Sequence, residues 1–444
     1  MDATVTRAQQ DRWPLRLVAL LLALGAAFWV RKTGAQLRSL STLLPLVCLV
    51  CASVGCGLAA ARLSDGPLLA RLCSALLRLL RLIALLVALP ELIAQRVPVR
   101  WDVVFGLIPP ESECPIYYRM PDVPLDDGRF LKRAGPDSWT GRPLNSALKM
   151  KRSGDAAYAD EAPFTVRYDA DGFRNPSGMT DWDALVAGDS FVELGSLPDG
   201  ETITDQLAAR TGWRVKNLGV ASTGPLAHAA FTRHFGHARS CRYAVLVWSE
   251  TALEKTISEW ARLNQGGSPA PSRSNNSLLK AALGALRLHL VPTSMTRLYA
   301  NAAFTAADGR TVPVMLDPPV PKALSATHRN ALPDVLNGWA TTARSMGMEP
   351  WLVFLPSKNR VWRGRLSGPA ELIRWEPDSL PQHVEALCRA SGVGFVDTTP
   401  ALAKASRAGL LVFNPVVDGH PTKAGAEIIA KTMAASLGQP ANVR

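Results

Sequence analysis

The sequence predicts an α/β fold: a parallel five-stranded sheet inside a three-layer α/β/α sandwich, preceded by an α-helical membrane segment. Two observations carry this. Beyond about residue 181, short apolar runs alternate with helical patterns, as in βαβ units buried on both faces. Before residue 100, long stretches lack charge altogether.

Within the first hundred residues, Pro14 to Val30 is almost wholly apolar and Ser41 to Ala61 carries no charge, each near the length that crosses a bilayer. Leu72 to Ala94 is Leu-rich but holds Arg78 and Arg81, so it either spans with these side chains reaching the interface or lies along the surface. Three spans are favoured over two. A cleaved signal peptide is disfavoured because Gly25 to Lys32 offers no clean cleavage site and a second span follows. The net charge is +12, of which +8 falls in residues 1–100. That places the basicity beside the membrane and argues against a nucleic-acid partner. Arg7, Arg12 and Arg16 favour a cytoplasmic N-terminus, Arg31, Lys32 and Arg38 a cytoplasmic first loop, and Arg62, Arg71, Arg78 and Arg81 a cytoplasmic second loop; three spans with the N-terminus inside satisfy the first and third groups and put the C-terminal domain outside. The expected location is therefore a bacterial inner membrane, with the catalytic domain facing the periplasm or cell exterior.

Residues 101–180 are rich in Pro, Asp and Arg and read as a loop-rich lead-in with short strands such as Phe164 to Tyr168. Asp169 to Asn175 is a turn signature, with a packed Phe173 the simpler reading of its Phe-Arg pair and support of a site by Arg174 the alternative. In residues 181–444, strands are expected at Ala184 to Ala187, Trp213 to Leu218, Tyr243 to Trp248, Trp351 to Leu355 and Val393 to Val396. Helices are expected at Ile203 to Arg210, Pro225 to Ala238, Ala331 to Met346, Gln382 to Ala390 and Thr422 to Ser436. The alternation breaks at about 252–328, an insertion with a flexible loop (266–276), an amphipathic helix (278–290) and a hairpin around Asp308-Gly309. Its place at the carboxyl edge of the third strand suits a lid or a substrate wall. The seven cysteines show neither metal spacing nor a disulfide framework, and no metal or cofactor is expected.

The chemistry centres on Gly188-Asp189-Ser190, where an apolar strand stops at a glycine turn and lifts a hydroxyl to the sheet edge beside the free N–H groups of a helix start. Val192 stands where a Gly-x-Ser-x-Gly elbow needs its second glycine, which argues against an ordinary α/β-hydrolase. Downstream come Val215-Lys-Asn-Leu-Gly219 and Asp418-Gly-His420-Pro. A serine nucleophile needs a base and a carboxylate that orients the base, and His420 with Asp418 fits both roles; the plainer reading is a turn at Asp418-Gly419 with Pro421 opening the last helix.

These blocks, in this order, resemble the SGNH or GDSL-type hydrolase superfamily, from about Tyr168 to the C-terminus. The Asp-x-His spacing is similar to that of relatives that O-acetylate alginate. The resemblance implies catalytic Ser190, Asp418 and His420, an oxyanion hole from the N–H groups of Ser190 and Gly219, and an asparagine after the third strand. That last block reads Trp248-Ser-Glu-Thr251 and has no asparagine; Ser249, Thr251, Asn217 and Ser222 are the substitute donors to consider. Phe354 to Trp362 resembles a Pro-x-Lys segment of membrane-associated relatives, which makes Lys358 and Trp362 candidate sugar contacts; a solvated lysine and a partly buried tryptophan are the commoner outcomes. The expected function is a membrane-anchored serine esterase acting on short acyl groups, acetyl foremost, of a cell-envelope glycan. An exopolysaccharide O-acetyltransferase or a non-catalytic glycan-binding component are the alternatives. Envelope polysaccharide export or assembly proteins are the implied partners.

Overall fold

The computed structural model describes residues 163–250, 302–316 and 323–437 with few breaks, and short stretches between 91 and 141 and between 278 and 285. The expected membrane spans, the 266–276 loop, Thr251 and Asp418 lie outside the described residues. Among those described, no helix is long and apolar enough to cross a membrane.

The chain divides into two compact units, residues 1–107 with 273–290, and residues 108–272 with 291–444. In the first, Trp101–Val104 forms a short helix. The described residues from 278 to 285 are helical, and the Leu279 N–H donates to Glu91 (2.8 Å). The amphipathic helix expected as part of a lid thus groups with the N-terminal segment.

The second unit contains the strands β1 (Asp122–Pro124), β2 (Leu131–Arg133), β3 (Asp137–Gly141), β4 (Phe164–Tyr168), β5 (Ala184–Gly188), β6 (Val215–Gly219), β7 (Tyr243–Ser249), β8 (Ala302–Thr305), β9 (Thr311–Val314), β10 (Glu349–Leu355), β11 (Leu366–Ser367) and β12 (Gly394–Asp397). Its helices are α1 (Ser190–Glu193), α2 (Ile203–Thr211), α3 (Pro225–Phe235), α4 (Ala326–Ser345), α5 (Lys358–Trp362), α6 (Ala370–Arg374), α7 (Leu380–Ala390), α8 (Thr399–Arg407) and α9 (Lys423–Leu437).

The central sheet has the order β12-β10-β7-β5-β6, and every pairing in it is parallel. The expected five strands are all there. Because side chains alternate across a strand, Ala184 and Val186 of β5 face one core and Leu185 and Ala187 the other. The first core packs under α2, α8 and α9 and the second under α3, α4 and α7, which makes the three layers. Sheet and helices thereby bury every residue of β5, β6 and β7. Two polar residues of β6 are accommodated by specific partners. Lys216 pairs with Asp171 (3.0 Å) and lies 4.2 Å from the Trp182 ring, while Asn217 is hydrogen-bonded on both sides of its amide.

Helix α4 starts five residues before its expected beginning, where the Ser325 side chain caps it; Pro333 lies inside the helix rather than near its start. Helices α5, α6 and α8 were not expected. In α8 Pro400 sits in the first turn, where its missing N–H costs nothing. The hairpin at Asp308-Gly309 forms as β8 and β9, and β11 extends it to a three-stranded antiparallel sheet. Cys241 and Cys388 are free and buried, and burial pushes both thiols up to about 12.

Candidate active site

Ser190 opens α1 directly after β5, so its backbone N–H sits at a helix start with no carbonyl one turn earlier to bond. The residue before it, Asp189, is buried and is the N-cap: its carboxylate accepts the Phe191 N–H (3.0 Å) and the Ser249 hydroxyl (3.0 Å). The aspartate of Gly-Asp-Ser therefore ties the serine turn to the end of β7, the neighbouring strand. Ser190 itself is partly exposed.

Helix α1 lasts one turn and stops at Leu194, a non-glycine residue in the left-handed region (φ 43°). Such a conformation costs roughly 1–2 kcal/mol and needs outside support. Arg174 provides it. Its guanidinium donates to the carbonyls of Glu193 (3.2 Å), Leu194 and Leu197 and pairs with Asp199 (3.1 Å). Phe173 packs edge-on against Phe231 and Phe235, so both readings of the Phe173-Arg174 pair hold together.

Gly219 ends β6 directly beside Gly188 of β5. A Cβ here would lie 2.3 Å from the Glu193 nitrogen and 2.7 Å from the Val192 carbonyl carbon, both backbone atoms that cannot swing aside. Gly219→Ala is therefore expected to push α1 off the sheet, lowering stability by about 1–3 kcal/mol and ester turnover with it. Thermal melts and an acetate-ester assay on the same sample check this.

The Gly219 N–H, expected to face an oxyanion, instead donates to Asn217 Oδ1 (2.8 Å). The following two amides are also committed: Val220 donates to the Gly188 carbonyl (3.1 Å) and Ala221 to the Glu193 carboxylate. Ser222 comes next. It is exposed, in the left-handed region (φ 66°), and its N–H has no partner among the described residues. Since Gly188 and Gly219 are in register, the turns after β5 and β6 leave the sheet side by side, and Ser222 replaces Gly219 as the candidate second donor.

The other substitutes for the missing asparagine fall away. The Asn217 amide donates to the Val192 carbonyl (2.8 Å) and Thr204 (3.0 Å), and the Ser249 hydroxyl to Asp189. Glu250 lies in a buried ion pair with Arg360 (2.6 Å), accepts the Ser357 N–H (2.8 Å), and shares Arg360 with Asp378 (2.8 Å).

His420 lies in a bend three residues before α9. Its carbonyl accepts from the Asn414 backbone (3.0 Å) and side chain (3.1 Å), Thr422 is held by Leu411 and Val412, and Phe413 bridges to Pro421. Its ring lies 4.9 Å from that of Phe191, the residue after Ser190. The structure thus brings His420, the candidate base, beside the turn that carries Ser190, the candidate nucleophile.

Lys358 and Trp362 are not brought into this group as sugar contacts. Trp362 is fully buried, packed against Phe304 (5.4 Å) and Phe413 (6.3 Å), so neither face is open to a sugar. Lys358 is buried beside it, 5.6 Å from the ring, and is not the solvated lysine of the simpler reading.

One residue went unnoticed in the sequence. Glu193 is buried one turn after Ser190 and accepts from Arg133 Nε (3.1 Å) and Nη2 (3.3 Å), from the Tyr168 hydroxyl (2.8 Å) and from the Ala221 N–H. Burial pushes its carboxyl up, but the Arg133 charge and these hydrogen bonds together outweigh burial and hold it below the usual carboxylate range. Tyr168 is pushed well above the usual phenol range, by burial first and then by the Glu193 charge.

No protein-family description matches this chain, and no curated protein does. Similar solved structures include a lipolytic protein of the G-D-S-L family from Veillonella parvula (11% identity, TM-score 0.32, covering 58% of this chain and 98% of that one). A second is a putative lipolytic protein of the same family from Desulfitobacterium hafniense (11%, 0.31, 57% and 98%). A third is an acetylxylan esterase from Geobacillus stearothermophilus (14%, 0.30, 58% and 94%).

Proposed function

We propose that this chain is a serine ester hydrolase of the SGNH or GDSL type that removes short acyl groups, acetyl foremost, from a cell-envelope glycan. The observation that carries the proposal is the placement of Ser190 at the carboxyl end of β5, on the turn that brings Phe191 against the His420 ring. His420 takes the Ser190 proton as the oxygen attacks the acyl carbon. The N–H groups of Ser190 and Ser222 receive the developing oxyanion, and the protonated imidazole then gives its proton to the departing sugar oxygen, which leaves as a hydroxyl. Water reverses these steps on the acyl-enzyme. Asp418, two residues before His420 in the sequence, is the residue assigned to hold the imidazole tautomer. Incubation of the protein with a chromogenic acetate ester and a serine-reactive phosphonate tests the reading. Turnover and labelling at Ser190 support it, and their joint absence overturns it.

The glycan and the envelope location rest on the apolar, basic N-terminal hundred residues. A reporter active only outside the cytoplasm is expected to work when fused after Arg100 and to stay silent when fused after Asp65. The reverse pattern would place the domain in the cytoplasm and remove envelope glycans as substrates.

A further inference from the structure

We propose that Glu193 is a positioning residue whose carboxylate, fixed by Arg133 and Tyr168, holds the Ala221-Ser222 turn so that the Ser222 N–H stays aimed at the reacting acyl group. This inference rests on the esterase reading above and names the part of the site that sets its oxyanion geometry.

Three observations converge on Glu193. It ends the helix that Ser190 begins, so its backbone is part of the nucleophile turn. Its Oε2 accepts the Ala221 N–H, the last amide before Ser222, and so spans from the nucleophile turn to the turn after β6. Its Oε1 accepts from Tyr168 at the end of β4, and Arg133 at the end of β2 grips both oxygens. The carboxylate thereby has all four of its bonds inside the protein. None is left for substrate, and that marks Glu193 as a part of the scaffold rather than a reacting group.

A left-handed serine needs such a fixture. Ser222 is exposed, and its N–H has no partner among the described residues. Ala221 before it is anchored by Glu193, and Thr223 after it by its hydroxyl on the Val220 carbonyl (2.5 Å). If the Ala221 anchor is lost, Ser222 can relax out of the left-handed region, and its N–H turns away from the site. Because an oxyanion donor acts in the transition state more than in the ground state, the loss should fall on kcat and not on KM.

The test is Glu193→Gln in the full chain, with Tyr168→Phe as a milder variant that removes one hydrogen bond to Glu193 and leaves the charge pair with Arg133. Acetate-ester kcat and KM are measured on protein whose melting and circular dichroism are recorded. Glu193→Gln is expected to lower kcat roughly 10- to 100-fold with KM within about threefold, and Tyr168→Phe to lower kcat by less, in the same pattern. Glu193→Asp, which keeps the charge but is one methylene shorter, is expected to recover part of the lost kcat. A folded Glu193→Gln protein with kcat within twofold of the parent, or a loss confined to KM, overturns the inference. Should Glu193→Gln not fold, Tyr168→Phe decides: an unchanged kcat overturns it and a kcat-only loss upholds it. A parent protein without any turnover would instead sink the esterase reading itself.

Discussion

Replacing Ser190 by alanine is expected to lower acetate-ester turnover by roughly 10⁴-fold or more while the melting temperature stays near that of the parent. The size follows from the chemistry, since without the hydroxyl no acyl-enzyme forms. The unchanged stability follows from the structure. Ser190 is only partly buried, its side chain makes no hydrogen bond among the described residues, and the helix start is capped by Asp189, not by the serine. His420→Ala is expected to cost a similar factor, because a neutral hydroxyl is a weak nucleophile until a base takes its proton. Asp418→Asn should leave a residue of activity, since the base remains. Turnover like that of the parent in pure Ser190→Ala protein would rule out Ser190 as nucleophile.

The second large effect concerns Glu250. Read as a stand-in for an absent oxyanion asparagine, it invites Glu250→Asn as a gain of activity. The surroundings of Glu250 argue against such a gain. Glu250 and Arg360 are both largely buried and face each other at 2.6 Å, and Arg360 also donates to Asp378 and its carbonyl. Removing one member leaves a buried guanidinium with one carboxylate partner instead of two, which should cost about 1–3 kcal/mol, less than the roughly 3–5 kcal/mol of a buried charge left wholly unpaired. Glu250→Asn should therefore lower the melting temperature by many degrees and raise turnover not at all. A stable, faster variant would show that the donor position had been empty and that the new asparagine fills it.

How far the sequence leads is visible in particular residues. Strands β5, β7 and β10 are legible because a strand covered on both faces must be apolar throughout, and Ala184 to Ala187 or Tyr243 to Trp248 can be little else. Strand β6 is legible only in part, since Lys216 and Asn217 break its apolar run and are tolerated through partners supplied from elsewhere. Ser190 and His420 announce themselves by local motif. Glu193 does not: its partners Arg133 and Tyr168 lie 60 and 25 residues away in the chain, and a glutamate one turn after a helix start reads as a solvated face. Trp362 fails for the opposite reason. Its residue type suits a sugar platform, and only the packing of Phe304 and Phe413 around it, both distant in sequence, removes that role.

The chain between Ser249 at the end of β7 and Ala302 at the start of β8 leaves from the edge that carries Ser190, and its return is pinned where Phe304 of β8 packs on Trp362. Both ends of that excursion are thus fixed by structure that does not depend on its length. For a flexible connection, the entropy of joining two fixed ends grows only logarithmically, about 0.6 kcal/mol for each doubling. The number of residues between Ser249 and Ala302 can therefore change at little entropic cost to the sheet that holds both ends.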